Sequence, residues 1–278
     1  MQPGMPAVEQ HTRPLTGVRA YVDHIAQFPD VTGREKREAA LFGIENDPVA
    51  LEQFCRRKSS ANVAQLPSIP DKIDMLEAAK QIHDLVRSLK IDKARVVGHD
   101  IGLMVAYAYA AQFPGETEKL AVMDAFLPGV AGWEPIYNDP NTWHFRFNGE
   151  YPEKLVKGRE RTYFEYFWNV LAADKTRSIP EADRRAYTEA YAKPGRMRAA
   201  WAYFASWPQL AKDFAQLSQT KLTMPVLSIG GDKSLGNELG AQIKLVADSV
   251  TVILLPNTGH WMLEEKPKET TDALVNFL

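Results

Sequence analysis

The amino-acid sequence predicts an α/β fold: a mainly parallel sheet with helices between its strands and one long helical insertion. Three observations carry this reading. Apolar, often β-branched runs at 94–97, 119–125, 224–231 and 249–256 read as buried strands. Helix-period stretches separate them, as parallel pairing requires. Between about residues 129 and 215 the strand signal vanishes, and aromatic and charged residues recur at helical spacing.

The elements follow in chain order. The first 70 residues offer one strand candidate, GVRAYV at 17–22, and polar helices, of which Asp47 to Phe54 has an N-cap and Pro48 at its first helical position. Residues 71–90 place Met75, Ala78, Ala79, Ile82, Leu85, Val86 and Leu89 on one helical face, with Asp71 or Asp74 as N-cap, so this helix should cover a sheet. ARVV at 94–97 runs into Gly98-His99-Asp100-Ile101-Gly102 and then the apolar stretch LMVAYAYAAQF, closed by Pro114-Gly115. That is strand, sharp turn, helix. KLAVMDA, MPVLSIGG and SVTVILLP read as further continuous buried strands, while KLVKGRERTYFEYFWNVLAADK (154–175) and EADRRAYTEAYAKPGRMRAAWAYFASW (181–207) read as helical. The organisation expected is an atypical segment at 1–70, a core at 71–128 and 216–278, and an insertion at 129–215.

Composition narrows the function. The 278 residues suit one sizeable domain with an insertion, and 45% hydrophobic against 24% charged residues describes a chain that folds by burial. Lys and Arg number 33 against 35 Asp and Glu, a net charge of −2, so no broad positive field exists to hold nucleic acid. The lone cysteine, Cys55, excludes an internal disulfide and a multi-cysteine zinc site and suits a reducing compartment. No dinucleotide fingerprint, P-loop or H-E-x-x-H occurs, so neither cofactor nor metal is expected. The N-terminus has no basic start leading into an apolar stretch, and the longest apolar runs, 101–113 and 250–255, are too short for a bilayer. A soluble, cytoplasmic protein is expected.

Gly98-x-Asp100-x-Gly102 has the form of a nucleophile elbow, in which small flanking residues allow a strained strand-to-helix turn that lifts the central side chain above the sheet. Here that side chain is Asp100. The late strand ends in Leu255-Pro256-Asn257-Thr258-Gly259-His260-Trp261, so a loop at its end carries His260. Serine attacking a saturated carbon would leave an ether that no nearby base could hydrolyse, whereas a carboxylate leaves an ester whose carbonyl water can attack. Asp100 therefore suits attack on an sp³ carbon, with His260 activating the water that releases the product. A histidine in this role needs a carboxylate to fix its tautomer, and Asp124 and Asp232 both lie at strand ends.

Six segments in order, VVGHDIG, VMDAFLPG, NTWHF, YAKPGRMRAAWAYF, MPVLSIGGDKSLG and PNTGHWMLEEKP, resemble the α/β-hydrolase superfamily and, within it, the epoxide hydrolases, over about residues 71–278. The resemblance implies an α/β-hydrolase fold with the insertion as a helical cap, and hydrolysis of an apolar epoxide to a vicinal diol through an Asp100 alkyl-enzyme ester. One branch of the family keeps its acid at the end of the next strand, which favours Asp124, 24 residues past Asp100. The other branch uses a G-x-x-D pattern that puts Ser234 at the acid position, with Asp232 as the nearby alternative. The resemblance further assigns His144 and Tyr203 as the cap pair that assists ring opening, and the backbone N–H of Ile101 as an oxyanion donor. Trp143 and Trp261 fall to the substrate pocket. The family's second oxyanion donor comes from an H-G-x-P loop, and no H-G-x-P occurs in this sequence. A catalytically impaired binding protein is therefore one alternative. Haloacid or haloalkane dehalogenation is the other, kept open by Trp143 beside His144 as a halide contact, although Ile101 and Met104 stand where those families place tryptophan or arginine. Small apolar epoxide and water are the implied partners, and a homodimer is compatible with this reading.

Overall fold

The computed structural model describes residues 73–176 and 178–278. The strand expected at 17–22, the helix at 47–54 and Cys55 lie outside the described residues. Among the described residues the sheet has four strands in the order β1 (Ala94–His99), β2 (Thr117–Met123), β3 (Val226–Gly231) and β4 (Val250–Leu255), every pair parallel. All four strands read from the sequence are present, and sequential neighbours in the chain are neighbours in the sheet.

Helix α1 (Met75–Ser88) begins at Asp74, whose carboxylate accepts from the N–H groups of Leu76 and Glu77, which settles the choice of N-cap. Its apolar face is only partly used: Met75 and Ala79 are buried, whereas Ile82, Leu85 and Leu89 are exposed. Helix α2 (Ile101–Gln112) is apolar on nearly all sides and correspondingly sunk, with Leu103, Met104 and Ala106 through Ala110 buried. Strand β3 is buried throughout. β4 is not: it ends the described sheet at one edge, and Val252 and Leu254 are exposed; the expectation of a continuously buried strand at 249–256 fails there. Helix periodicity and apolar runs are local signals, whereas edge or centre is decided by strand order.

Between β2 and β3 the chain is helical. After α3 (Trp133–Asn138) and a 3₁₀ turn (Pro140–Arg146) come α4 (Glu150–Val156), α5 (Glu160–Val170), α6 (Glu181–Tyr191) and α7 (Arg196–Leu217). The run read as helical over 154–175 is split at Gly158, which takes a left-handed φ of 77°. The far half of α7 returns to the sheet: Trp207, Leu210 and Phe214 share one buried cluster with Tyr107 and Phe126. The fold closes with α8 (Gly236–Val246) on β3, then α9 (Met262–Glu265) and α10 (Pro267–Phe277). No helix among the described residues is long and apolar enough to cross a membrane.

Candidate active site

Parallel strands in register place their C-terminal ends side by side, and loops leaving that edge converge. His99 is opposite Met123, and Met123 opposite Ile229. The ladder continues one step beyond: the Asp100 N–H donates to the Met123 carbonyl (3.1 Å) and the Asp124 N–H to the Ile229 carbonyl (3.0 Å). The two aspartates thus leave adjacent strands at the same level. Both take a left-handed backbone, φ 53° at Asp100 and 41° at Asp124, a conformation that costs free energy in a non-glycine residue and gathers at functional turns.

The turn at Asp100 is made possible by Gly98. A Cβ there would lie 2.2 Å from the Gly102 carbonyl oxygen, so α2 can start this close to β1 only over a glycine. Gly102 is different: nothing among the described residues lies within 4 Å of the Cβ it lacks. The Asp100 side chain does not cap α2, and at 43% exposed it is open to a reactant. Ile101 is the first residue of α2, so its N–H has no acceptor within the helix and points toward the elbow end.

His260 reaches this edge from the loop after β4. Its Nδ1 is 2.9 Å from Oδ2 of Asp124, and its Nε2 is 3.8 Å from Oδ2 of Asp100. Asp124 is wholly buried, and its other oxygen accepts from the Gly231 N–H at 3.1 Å. Burial opposes charge on His260, but contact with Asp100 and Asp124 outweighs it, and the imidazole is raised to about 10. For Asp100 burial acts upward, yet the contact and charge of His260, with smaller contributions from His99 and His144, leave the carboxyl below its ordinary range. The arrangement is an ionised carboxylate facing open space, a histidine against it, and a second carboxylate fixing that histidine's tautomer.

Of the two acid candidates, the structure brings Asp124 to His260. Asp232 instead accepts from the Thr258 N–H (3.1 Å) and pairs with Lys233 (3.5 Å), securing the loop that precedes the histidine. The Ser234 N–H donates to the Gly231 carbonyl in the same turn.

His144 is buried among aromatic rings, Phe145, Phe167 and Phe204 among them, and its Nδ1 has no hydrogen-bond partner among the described residues. Desolvation pushes it down to about 4, against the pull of the Asp100 charge, so it is neutral. Tyr203 is half-buried on α7. Trp143 stands in an aromatic stack with Tyr163, Tyr166 and Phe167. Trp261 lies 5.0 Å from the His260 ring, and its indole N–H is taken by the Phe167 carbonyl (3.1 Å).

Two further groups coupled to the elbow escaped the sequence reading. The His99 ring nitrogen Nε2 is 3.0 Å from the His260 carbonyl, and desolvation, with the charge of His260, drives this ring to about 4, so a neutral His99 donates that bond. Its position beside the elbow residue was the available signal. Tyr191 is raised first by burial and then by the negative charge of Asp100. It opens the YAKPG stretch, but among so many aromatic residues nothing in sequence separated it from packing.

Comparison with known proteins agrees with this fold. A model of the alpha/beta hydrolase fold family matches residues 56–267. A soluble epoxide hydrolase from Corynebacterium sp. (strain C12) is 28% identical over 213 residues, covering 73% of this chain and 73% of that protein. The crystal structure of Cfl2 from Burkholderia cenocepacia superposes with a TM-score of 0.69 at 29% identity, over 76% of this chain and 73% of that one. That of the epoxide hydrolase CorEH gives 0.66 at 25% identity, over 73% and 74%.

Proposed function

The chain belongs to the α/β-hydrolase fold family, and from that premise we propose that it is an epoxide hydrolase, with Asp100 as nucleophile and His260 as base. The observation that carries the reading is the chain of groups Asp100, His260 and Asp124, with a carboxylate and not a hydroxyl at the elbow. Its likeness to a soluble epoxide hydrolase supports the same substrate class.

In the first step a carboxylate oxygen of Asp100 attacks an epoxide carbon and the ring C–O bond breaks. The departing oxygen takes the phenolic proton of Tyr203 while neutral His144 hydrogen-bonds to it, since an alkoxide leaves poorly without a donor. Esterification removes one of the two anions that hold the His260 proton. The imidazolium then gives that proton up through solvent, restoring the phenol, and becomes a base. Next it deprotonates a water, which adds to the ester carbonyl; the oxyanion rests on the Ile101 N–H, collapse passes the proton from His260 to the departing diol oxygen, and the Asp100 carboxylic acid left behind gives its proton to His260, restoring the carboxylate and the imidazolium. A second oxyanion donor is not assigned among the described residues.

Halide release is the competing outcome. Ile101 and Met104 offer a halide or a substrate carboxylate no side-chain donor, and the Trp261 indole N–H already serves the Phe167 carbonyl. Intact-mass analysis of His260→Gln with an epoxide separates the readings. An epoxide hydrolase adds the substrate mass at Asp100 and wild type releases diol; halide release from a halogenated partner substrate, or no adduct at all, would overturn the proposal in favour of a dehalogenase or a binding protein.

A further inference from the structure

One carboxylate ties the His260 loop to the helical insertion. Glu265, at the end of α9, accepts from the N–H groups of Gly259 (3.1 Å) and Trp261 (3.2 Å), the residues on either side of His260. The same carboxylate accepts from the N–H of Ala173 (2.8 Å), which follows α5. The seam is reinforced by the His260 N–H, which donates to the Leu171 carbonyl at 2.8 Å, and by the Trp261 indole on Phe167. It is also tight: a Cβ on Gly259 would lie 2.5 Å from the Leu171 oxygen and 2.6 Å from the Ala173 nitrogen. α5 in turn packs Phe167 against the His144 ring, 4.8 Å between centroids.

Three backbone donors on one carboxylate are charge-assisted bonds, stronger than neutral ones, and they join segments distant in sequence. We propose that Glu265 is a positioning residue that holds His260 and the end of α5 in one register, so that the base is in place only when the insertion is seated beside Asp100. This rests on the hydrolase reading above. Ester hydrolysis depends on where the imidazole stands, whereas attack by Asp100 does not use it as a base. Loosening the seam should therefore slow the second step selectively.

The test is Glu265→Gln, which keeps the size but leaves one oxygen to accept, alongside Glu265→Ala. Amide exchange is read at Ala173, Gly259 and Trp261, and single turnovers with an epoxide are read by intact mass. Expected in Glu265→Gln are exchange at these amides faster by about tenfold, ester hydrolysis slower by about ten- to a hundredfold, adduct formation within about threefold of wild type, and a displaced pH midpoint for hydrolysis. Unchanged exchange, or equal losses in both steps, would overturn the proposal. If neither wild type nor His260→Gln acquires substrate mass, the hydrolase reading has failed separately, and the exchange rates alone decide whether Glu265 holds the seam.

Discussion

His260 stands between two carboxylates, and both hold its proton. Its folded value of about 10 lies above the ordinary 6.5, so the pairing stabilises the fold fully below about pH 6.5 and is lost as pH rises toward 10. The gap in urea midpoint between wild type and His260→Gln should accordingly stay constant below pH 6.5 and close above it. His99 and His144, both pushed down to about 4, carry the opposite sign, withdrawing stability as pH falls from 6.5 toward 4. Asp124→Asn should leave the backbone in place yet slow adduct hydrolysis on the order of a thousandfold or more, because the amide can hold the wrong tautomer. In single turnovers, Tyr203→Phe and Tyr191→Phe decide which phenol serves ring opening: the proposal expects adduct formation to collapse in the first and to persist in the second. At this scale Asp100, Asp124 and His260 were legible because each stands at a strand end, where residue type alone is informative. Tyr191 and Glu265 were not, since the field of a distant carboxylate and bonds to backbone groups leave no mark in local pattern.

Strand, elbow and helix succeed one another at 94–112 with room for one arrangement only. The sequence motif treats Gly98 and Gly102 alike, but only Gly98 faces backbone at 2.2 Å. Gly98→Ala must push α2 away from β1, a cost of about 1–3 kcal/mol or more by overpacking, and should move Asp100 with it. Gly102→Ala sits exposed in a helix, where alanine is worth up to about 1 kcal/mol over glycine. Thermal denaturation should show the first destabilised and the second equal to wild type or better, with adduct formation impaired in the first alone. Equal behaviour of the two would mean that the glycine spacing, and not the close approach, is what the elbow needs. Periodicity located α1, and continuous apolar runs located α2 and the four strands, because both signals are local. They could not tell that β4 is an edge of the described sheet, nor that Ile82 and Leu85 stand exposed on α1, because both depend on which elements are neighbours.

The site draws on residues 100, 124 and 260, and the insertion leaves the sheet just beyond the second of them. Its entry is held by a single buried amide. Gln242 of α8 accepts from the Leu127 N–H at 2.8 Å and donates to the carbonyls of Leu127 at 3.2 Å and Val130 at 3.1 Å, just beyond Asp124. Read in sequence, a glutamine within an amphipathic helix is a surface residue, and nothing local says that this one is buried. Gln242→Leu keeps the volume and strands the Leu127 N–H in the interior, while the Leu127 and Val130 carbonyls keep the N–H groups of Val130 (3.2 Å) and Trp133 (3.3 Å). An unsatisfied buried group costs about 1–3 kcal/mol, and the loss should be of that size. Urea unfolding should show this as a lower midpoint at an unchanged slope, which separates lost native stability from a changed unfolded state. Because the loop begins at the residue that orients His260, the same variant, assayed where it is fully folded, should also hydrolyse the Asp100 ester more slowly. Full stability in Gln242→Leu would mean that solvent or a rearranged loop satisfies this group, and the entry to the insertion would then rest on aromatic packing such as that of Trp207 on Phe126.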